Sequence, residues 1–142
     1  MNARYRLACV GLSVIICCLV AISPTTFAVE DEDNVYPLIT AEQLKKLIDS
    51  KTTTIAIVDN APKEVYAKGH IPGAINLPWA PELKPPVNLP SKKILILYCP
   101  CVHEEDSTDM AGKLREYGYY KVKLLKGGWF RWQALHYPIE KR

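Results

Sequence analysis

Two short runs of apolar residues constrain the fold of this chain more than any other feature. Residues 94–98 (ILILY) and residues 55–58 (IAIV) contain no charged side chain and are rich in β-branched residues. A strand of a parallel sheet is buried on both faces, so its sequence is a continuous apolar run rather than an alternation of polar and apolar positions. The two runs therefore predict strands of a parallel sheet.

Helical patterns separate these runs along the chain. Residues 40–43 (TAEQ) form a capping box that begins one helix, and a second helix begins after Pro62 and ends at Gly69. Further strands are predicted at about residues 74–77 and 122–125. Alternating strands and helices predict an α/β fold, with a parallel sheet covered by helices on both faces.

Two cysteines follow the second apolar run directly. Cys99 comes at its end and Cys101 two residues later, and a third helix is predicted with Asp106 or Ser107 as its N-cap and Gly118 as its stop. The cysteines thus lie on a strand-to-helix loop. The free N–H groups and the positive end of the helix dipole favour a thiolate or a bound anion in such a loop. We predict that the chemistry of this protein takes place there.

Residues 1–28 have the pattern of a secretory signal peptide. Two arginines precede an apolar run at residues 7–22, and small residues at positions 26 and 28 permit cleavage before Val29. An uncleaved membrane anchor is the alternative, although the run is short for a spanning helix. The pattern predicts a periplasmic or secreted protein that has no membrane contact after cleavage.

Cleavage leaves a chain of the size of one domain. Residues 29–36 are an acidic lead-in that we expect to be disordered, and residues 37–142 form the predicted domain. Loss of the two signal arginines lowers the net charge from +3 to +1, which gives no electrostatic argument for a nucleic-acid partner. Three of the five cysteines lie in the signal, and the remaining pair is too close in sequence to link distant parts of the fold.

Three separated motifs resemble those of the rhodanese-like domain family. Residues 69–78 (GHIPGAINLP) are similar to a family signature, and the tyrosine and cysteine at residues 98–99 are similar to the start of its cysteine loop. Residues 126–132 (KGGWFRW), followed by HYPI at 136–139, resemble the last helix and ending of the family domain. The resemblance covers nearly all of residues 37–142 and implies a single rhodanese-like domain.

The resemblance implies that the protein is a sulfurtransferase. In rhodaneses a loop cysteine takes a sulfane sulfur from a donor, becomes a persulfide and passes the sulfur to a nucleophile. We predict Cys99 as the sulfur acceptor and Cys101 as the thiol that resolves the persulfide, although the spacing to Ser107 leaves the reverse assignment open. The expected partners are a small sulfur donor or protein persulfide, and a thiol acceptor or reductant. No cofactor is expected.

The loop departs from the common family pattern in its length and charge. Besides the two cysteines, its members are Pro100, Val102, His103, Glu104, Glu105, Asp106 and Ser107. Three consecutive carboxylates repel a doubly charged donor such as thiosulfate. Asn60 stands where many family members carry an arginine, whereas Asp59 and His70 resemble family positions that support the pocket.

Two other functions stay open from the sequence. A Cys-x-Cys dithiol could cycle to a small-ring disulfide and serve an exported redox protein. A non-catalytic rhodanese-like module could instead bind a partner protein or a metal such as Cu(I) or Zn through Cys99, Cys101 and His103, near Glu104. No fourth cysteine or histidine accompanies this group, so no metal site is predicted.

Overall fold

The computed structural model describes residues 35–142. The predicted signal peptide and most of the acidic lead-in lie outside these residues, so both stay predictions. Within the described range, no helix has the length and apolar character needed to cross a bilayer.

The described part of the chain contains five strands and four helices. The strands are β1 (Leu38–Ile39), β2 (Ile55–Asp59), β3 (Ile75–Asn76), β4 (Ile94–Tyr98) and β5 (Val122–Leu125). The helices are α1 (Ala41–Asp49), α2 (Lys63–Lys68), α3 (Glu105–Glu116) and α4 (Gly128–Ala134).

The strands form one parallel sheet in the order β1-β5-β4-β2-β3. The apolar run of β4 is therefore the central strand, as its complete burial requires. Strand β2 pairs with β4 so that Asp59 is level with Tyr98. The carboxyl ends of these two strands consequently meet at one edge of the sheet, where ligands of parallel sheets usually bind.

Helices cover both faces of the sheet, which confirms the predicted fold class. Ile96 and Tyr98 belong to a core cluster that includes side chains of α1, α2 and α4. Leu95 and Leu97 belong to a second cluster that includes side chains of α3. Because successive residues of a strand point to opposite faces, this single apolar run supplies both halves of the core.

Helix α1 begins where the sequence predicts, and helix α2 begins and ends where the sequence predicts. The Thr40 hydroxyl accepts a hydrogen bond from the Gln43 backbone N–H at 3.2 Å, and the Gln43 side chain accepts one from the Thr40 N–H at 2.9 Å. This reciprocal pair is the predicted capping box. Helix α2 follows Pro62 directly and ends before Gly69.

The predicted N-cap of the third helix is wrong. Helix α3 begins at Glu105, and the residue at its N-cap is Glu104, whose φ of 57° is in the left-handed region. Ser107 lies inside the first turn, where its hydroxyl donates back to the Glu104 carbonyl at 3.0 Å. A serine can make such a bond within a helix as well as cap one, so its presence does not fix the boundary. Gly118 follows the end of the helix as predicted.

The proline-rich segment of residues 79–90 packs along α3. Leu83 is buried in the core on that face, and its carbonyl accepts a hydrogen bond from the Tyr117 hydroxyl at 2.6 Å. At the start of the segment, the Trp79 indole donates to Asp109 of α3 at 2.6 Å. The segment is thus attached to the helix that follows the cysteine loop.

Candidate active site

The two cysteines lie at the carboxyl end of the central strand. Cys99 follows β4 directly and its side chain is completely buried, whereas Cys101 is partly exposed. A disulfide joins the two residues, whose Cα atoms are 5.2 Å apart. In this state Cys99 is shielded from solvent and Cys101 lies close to the surface.

The sulfur of Cys99 lies beside the first turn of α3. Its Sγ atom is 3.7 Å from the Oγ atom of Ser107, which is itself completely buried. The first N–H groups of a helix have no partner within the helix, and they give its start a partial positive charge. The Ser107 hydroxyl donates to the Glu104 carbonyl in this state. The helix start favours a negative charge on the Cys99 sulfur when the disulfide opens, and the hydroxyl can rotate to donate to that thiolate.

The start of α4 holds the backbone of the cysteine loop. The Trp129 N–H donates to the Cys99 carbonyl at 3.0 Å. Gly128 has a φ of 48°, and a Cβ atom at this position would lie 2.5 Å from the Cys99 carbonyl oxygen and 3.1 Å from that of Cys101. Only glycine allows this close approach, which explains the second glycine of the Lys-Gly-Gly-Trp sequence. The family resemblance placed both glycines in the segment of the last helix and did not predict this contact with the loop.

Glu104 faces the protein rather than the solvent. Its side chain is buried, and its Oε1 atom accepts a hydrogen bond from the Gly127 backbone N–H at 2.5 Å. The next carboxylate, Glu105, is exposed and accepts a hydrogen bond from the His103 backbone N–H at 3.3 Å. The three consecutive carboxylates therefore differ in their roles, and the sequence did not distinguish them.

Asp59 is the last residue of β2, and its side chain lies on the opposite face of the sheet from Cys99. Its carboxylate accepts hydrogen bonds from the Tyr98 hydroxyl at 2.5 Å and from the Ala61 backbone N–H at 2.8 Å. The Tyr98 hydroxyl in turn accepts from the Ile71 backbone N–H at 3.0 Å. Burial raises the pKa of Asp59, an effect that these hydrogen bonds oppose, and burial also raises the pKa of Tyr98. This network joins β2 and β4 to the segment that follows α2.

His70 is part of the same face and is completely buried. Its ring stacks on Tyr66 with centroids 3.7 Å apart, and its Nδ1 atom is 2.9 Å from the Tyr66 carbonyl. Backbone hydrogen bonds in both directions link His70 to Glu140, whose carboxylate lies 3.5 Å from the ring Nε2 atom. The structure thus places His70 where it attaches the end of the domain to the core.

Asn60 lies at the sheet edge next to the cysteine strand. It is buried, its backbone N–H donates to the Tyr98 carbonyl at 2.9 Å, and its side-chain amide donates to the Leu77 carbonyl at 2.8 Å. Its Oδ1 atom is buried and has no hydrogen-bond partner among the described residues. An asparagine here supplies no positive charge to an anionic sulfur donor.

The proposed metal ligands do not converge in this state. His103 is exposed, Glu104 is bonded to Gly127, and the sulfurs of Cys99 and Cys101 are bonded to each other. Within residues 35–142, no group of three or more potential ligand side chains lies close enough together to hold a metal ion. Of the predicted site residues, the structure brings together the two cysteines, Ser107 and Glu104.

Fold and site together define an α/β domain with a cysteine loop at the carboxyl end of its central parallel strand. Residues 40–135 match the model of the rhodanese-like domain, and the chain belongs to this family. The match includes the cysteine loop and all four helices, and it confirms the resemblance on which the sequence analysis relied.

Three comparisons give the range of similar proteins. The chain is 33% identical over 90 residues to the HTH-type transcriptional regulator Rv0324 of Mycobacterium tuberculosis, covering 61% of this chain and 38% of that protein. It is 34% identical over 86 residues to the adenylyltransferase and sulfurtransferase UBA4 of Meyerozyma guilliermondii, covering 55% of this chain and 20% of that protein. The structure of the BH2092 protein of Bacillus halodurans superposes with a TM-score of 0.68 and 27% identity, over 75% of this chain and 77% of that one. The chain therefore spans less than two-fifths of these two curated relatives.

Proposed function

We propose that this protein is a sulfurtransferase that carries sulfane sulfur as a persulfide on its cysteine loop. The observation that supports the proposal is the position of the Cys99 sulfur, at the end of the central strand and 3.7 Å from the Ser107 hydroxyl at the start of α3. This position favours the thiolate, which is the nucleophilic form of cysteine. A relative in the same family, UBA4, is named as a sulfurtransferase.

Sulfur uptake requires the dithiol form of the loop. The Cys99 thiolate attacks the outer sulfur of a hydropersulfide, R–S–S–H, so that a new S–S bond forms, the old one breaks, and the proton leaves with R–SH. The product is a Cys99 persulfide anion next to Ser107. An acceptor thiolate can then take the outer sulfur and regenerate the Cys99 thiolate.

Cys101 can consume the Cys99 persulfide in a second reaction. The Cys101 thiol transfers its proton to the outer sulfur and attacks the inner sulfur of the Cys99 persulfide. The outer sulfur leaves as hydrosulfide, HS⁻, and the Cys99–Cys101 disulfide forms. The product of this reaction has the same bond that the structure contains. A thiol reductant must then restore the dithiol, and export by the predicted signal peptide would place that reductant outside the cytoplasm.

The charges around the loop favour a donor of low negative charge. Glu105 is exposed, Asp106 is partly exposed, and Asn60 adds no positive charge. Like charges about 4 Å apart repel by on the order of 1 kcal/mol in water and by more near a protein surface. We therefore propose a hydropersulfide, free or on a protein, rather than thiosulfate as the natural donor.

Intact-mass measurement tests the proposal directly. The reduced protein is exposed separately to glutathione persulfide and to thiosulfate, and the same is done with Cys99→Ser and Cys101→Ser. We expect a gain of one sulfur atom in Cys101→Ser, which cannot resolve the persulfide, and no gain in Cys99→Ser. The wild type should gain one sulfur atom or, after attack by Cys101, lose two hydrogen atoms as the disulfide forms. Loss of uptake in Cys101→Ser alone would reverse the assignment of the two cysteines, and no uptake from any donor would contradict the proposed function.

A dithiol–disulfide redox function is the second candidate, and the Cys99–Cys101 disulfide is the observation that favours it. This function needs reversible interconversion of the two thiol states and no sulfur uptake. Equilibration in glutathione redox buffers, followed by the same mass measurement, distinguishes the two functions. The mass of a redox protein changes in this experiment only by the mass of two hydrogen atoms, which are lost when the disulfide forms.

A further inference from the structure

The two cysteines of the disulfide differ in their exposure to solvent. The side chain of Cys99 is completely buried, whereas Cys101 is partly exposed and is followed by Val102, which is 61% exposed. A thiolate opens a disulfide by attacking one sulfur while the other leaves, so access decides which of the two is attacked. In the oxidised, folded protein, Cys101 is therefore the more accessible of the two cysteines to an external thiolate.

We propose that thiol–disulfide exchange at this site begins at Cys101, with Cys99 as the leaving thiolate. The incoming thiolate R–S⁻ forms a new bond to the Cys101 sulfur as the Cys99–Cys101 bond breaks, and the electron pair of that bond stays on Cys99. The product is a mixed disulfide, R–S–S–Cys101, beside a Cys99 thiolate. A second thiolate, R′–S⁻, then attacks the sulfur that the first thiolate contributed. The products are the disulfide R–S–S–R′ and the Cys101 thiolate.

The surroundings of the two sulfurs favour the same direction as their exposure does. The Cys99 sulfur lies beside Ser107 at the start of a helix of 12 residues, and the positive end of that helix stabilises a negative charge there. Departure of Cys101 would instead put the charge on a partly exposed residue outside the helix, in a loop that also carries the exposed carboxylate of Glu105. Access and electrostatics therefore both assign the leaving group to Cys99.

This inference identifies the class of partner that the site requires. A thiol or dithiol reductant must approach the exposed side of the loop and bind covalently, for a short time, to Cys101. Its action supplies the Cys99 thiolate on which the proposed sulfur uptake depends. The exchange at Cys101 is nevertheless independent of that function, because it needs the disulfide but no sulfur donor.

Trapping the mixed disulfide tests the inference on the oxidised wild-type protein. The protein is treated briefly with 2-mercaptoethanol, free thiols are blocked with N-ethylmaleimide, and the tryptic peptide of residues 94–113 is sequenced by tandem mass spectrometry. We expect mercaptoethanol on Cys101 and maleimide on Cys99, with this isomer about tenfold or more in excess of the reverse one. An excess of mercaptoethanol on Cys99 would overturn the inference.

The two sets of results separate the further inference from the proposed function. Absence of sulfur uptake together with a mercaptoethanol adduct on Cys101 would contradict the proposed sulfurtransferase function and support the exchange at Cys101. Sulfur uptake on Cys99 together with a mercaptoethanol adduct on Cys99 would support the proposed sulfurtransferase function and contradict the exchange at Cys101.

Discussion

The carboxylate of Glu104 accepts a hydrogen bond from the backbone N–H of Gly127 at 2.5 Å, and so joins the cysteine loop to the start of α4. The side chain of Glu104 is 8% exposed, so little water competes for this bond. The backbone of Glu104 is left-handed, with a φ of 57°, as the chain turns from the loop into α3. Glu104 thus precedes α3 directly and binds the backbone at the start of α4.

Replacement of Glu104 by alanine should destabilise the domain. A hydrogen bond to a charged group contributes about 1.5–3 kcal/mol, and its loss leaves the Gly127 N–H without its acceptor. We expect a decrease of this size in the free energy of unfolding, measured by urea denaturation. Glu104→Gln keeps an acceptor oxygen and should lose less, and Glu105→Gln, on the exposed neighbour, should lose least. Equal stability of Glu104→Ala and the wild type would show that the bond contributes nothing.

Replacement of Gly128 by alanine should displace the cysteine loop. The new Cβ atom would lie 2.5 Å from the Cys99 carbonyl oxygen, so the backbone must shift at the point where Trp129 binds it. We expect a loss of stability and a slower sulfur uptake by the reduced protein. Gly118→Ala is the matched control, because Gly118 also has a positive φ, of 86°, but has nothing within 4 Å of the new atom. A similar loss in both variants would mean that backbone strain, and not the contact with the loop, is responsible.

The sheet could be predicted from the sequence because its central strands are continuous apolar runs. Strands β2, β4 and β5 lie where the sequence places them, and β3 is shorter than predicted. Strand β1 was not predicted. It is only two residues long, Leu38–Ile39, and it exists because its backbone pairs with β5, which a local pattern cannot reveal.

The composition of the site was predictable, but the direction of its side chains was not. The sequence placed Cys99 at the end of a strand, and the structure confirms that position. The burial of Glu104 depends on α4, which is 23 residues away in the chain. Likewise, Asp59 turns away from Cys99 because side chains alternate along β2 and β4, and the relative register of two strands is a tertiary property.

The stability of the domain should depend on pH through Asp59. Burial raises the pKa of this carboxyl group above its usual value of 3.8, despite hydrogen bonds from Tyr98 and Ala61 and the influence of His70. As the pH rises above about 4, the carboxyl ionises first in the unfolded chain. The free energy of unfolding then falls until the pH exceeds the raised pKa of the folded state.

The variant Asp59→Asn isolates this contribution. Asparagine does not ionise and keeps an oxygen that can accept from the Ala61 N–H. We expect the wild type to lose stability relative to the variant as the pH is raised from about 3 towards neutrality, by about 1.4 kcal/mol for each unit of pKa difference. Urea denaturation of both proteins over this range measures it. A difference that does not change with pH would contradict the raised pKa.

The charge of Glu105 should select against anionic sulfur donors. This carboxylate is exposed at the first residue of α3, directly after the cysteine loop, and like charges repel by on the order of 1 kcal/mol at close range in water. We expect Glu105→Gln to accelerate sulfur uptake from thiosulfate by about two- to fivefold at low ionic strength.

A change of charge elsewhere on the same helix provides the control. Glu116 is also exposed, but it lies at the opposite end of α3 from the cysteine loop. Glu116→Gln changes the net charge by the same amount and should leave the rate with thiosulfate unchanged. In about 1 M salt the Debye length falls to about 3 Å, so the advantage of Glu105→Gln should disappear. Equal acceleration by both variants would attribute the effect to net charge and would remove Glu105 as a determinant of donor choice.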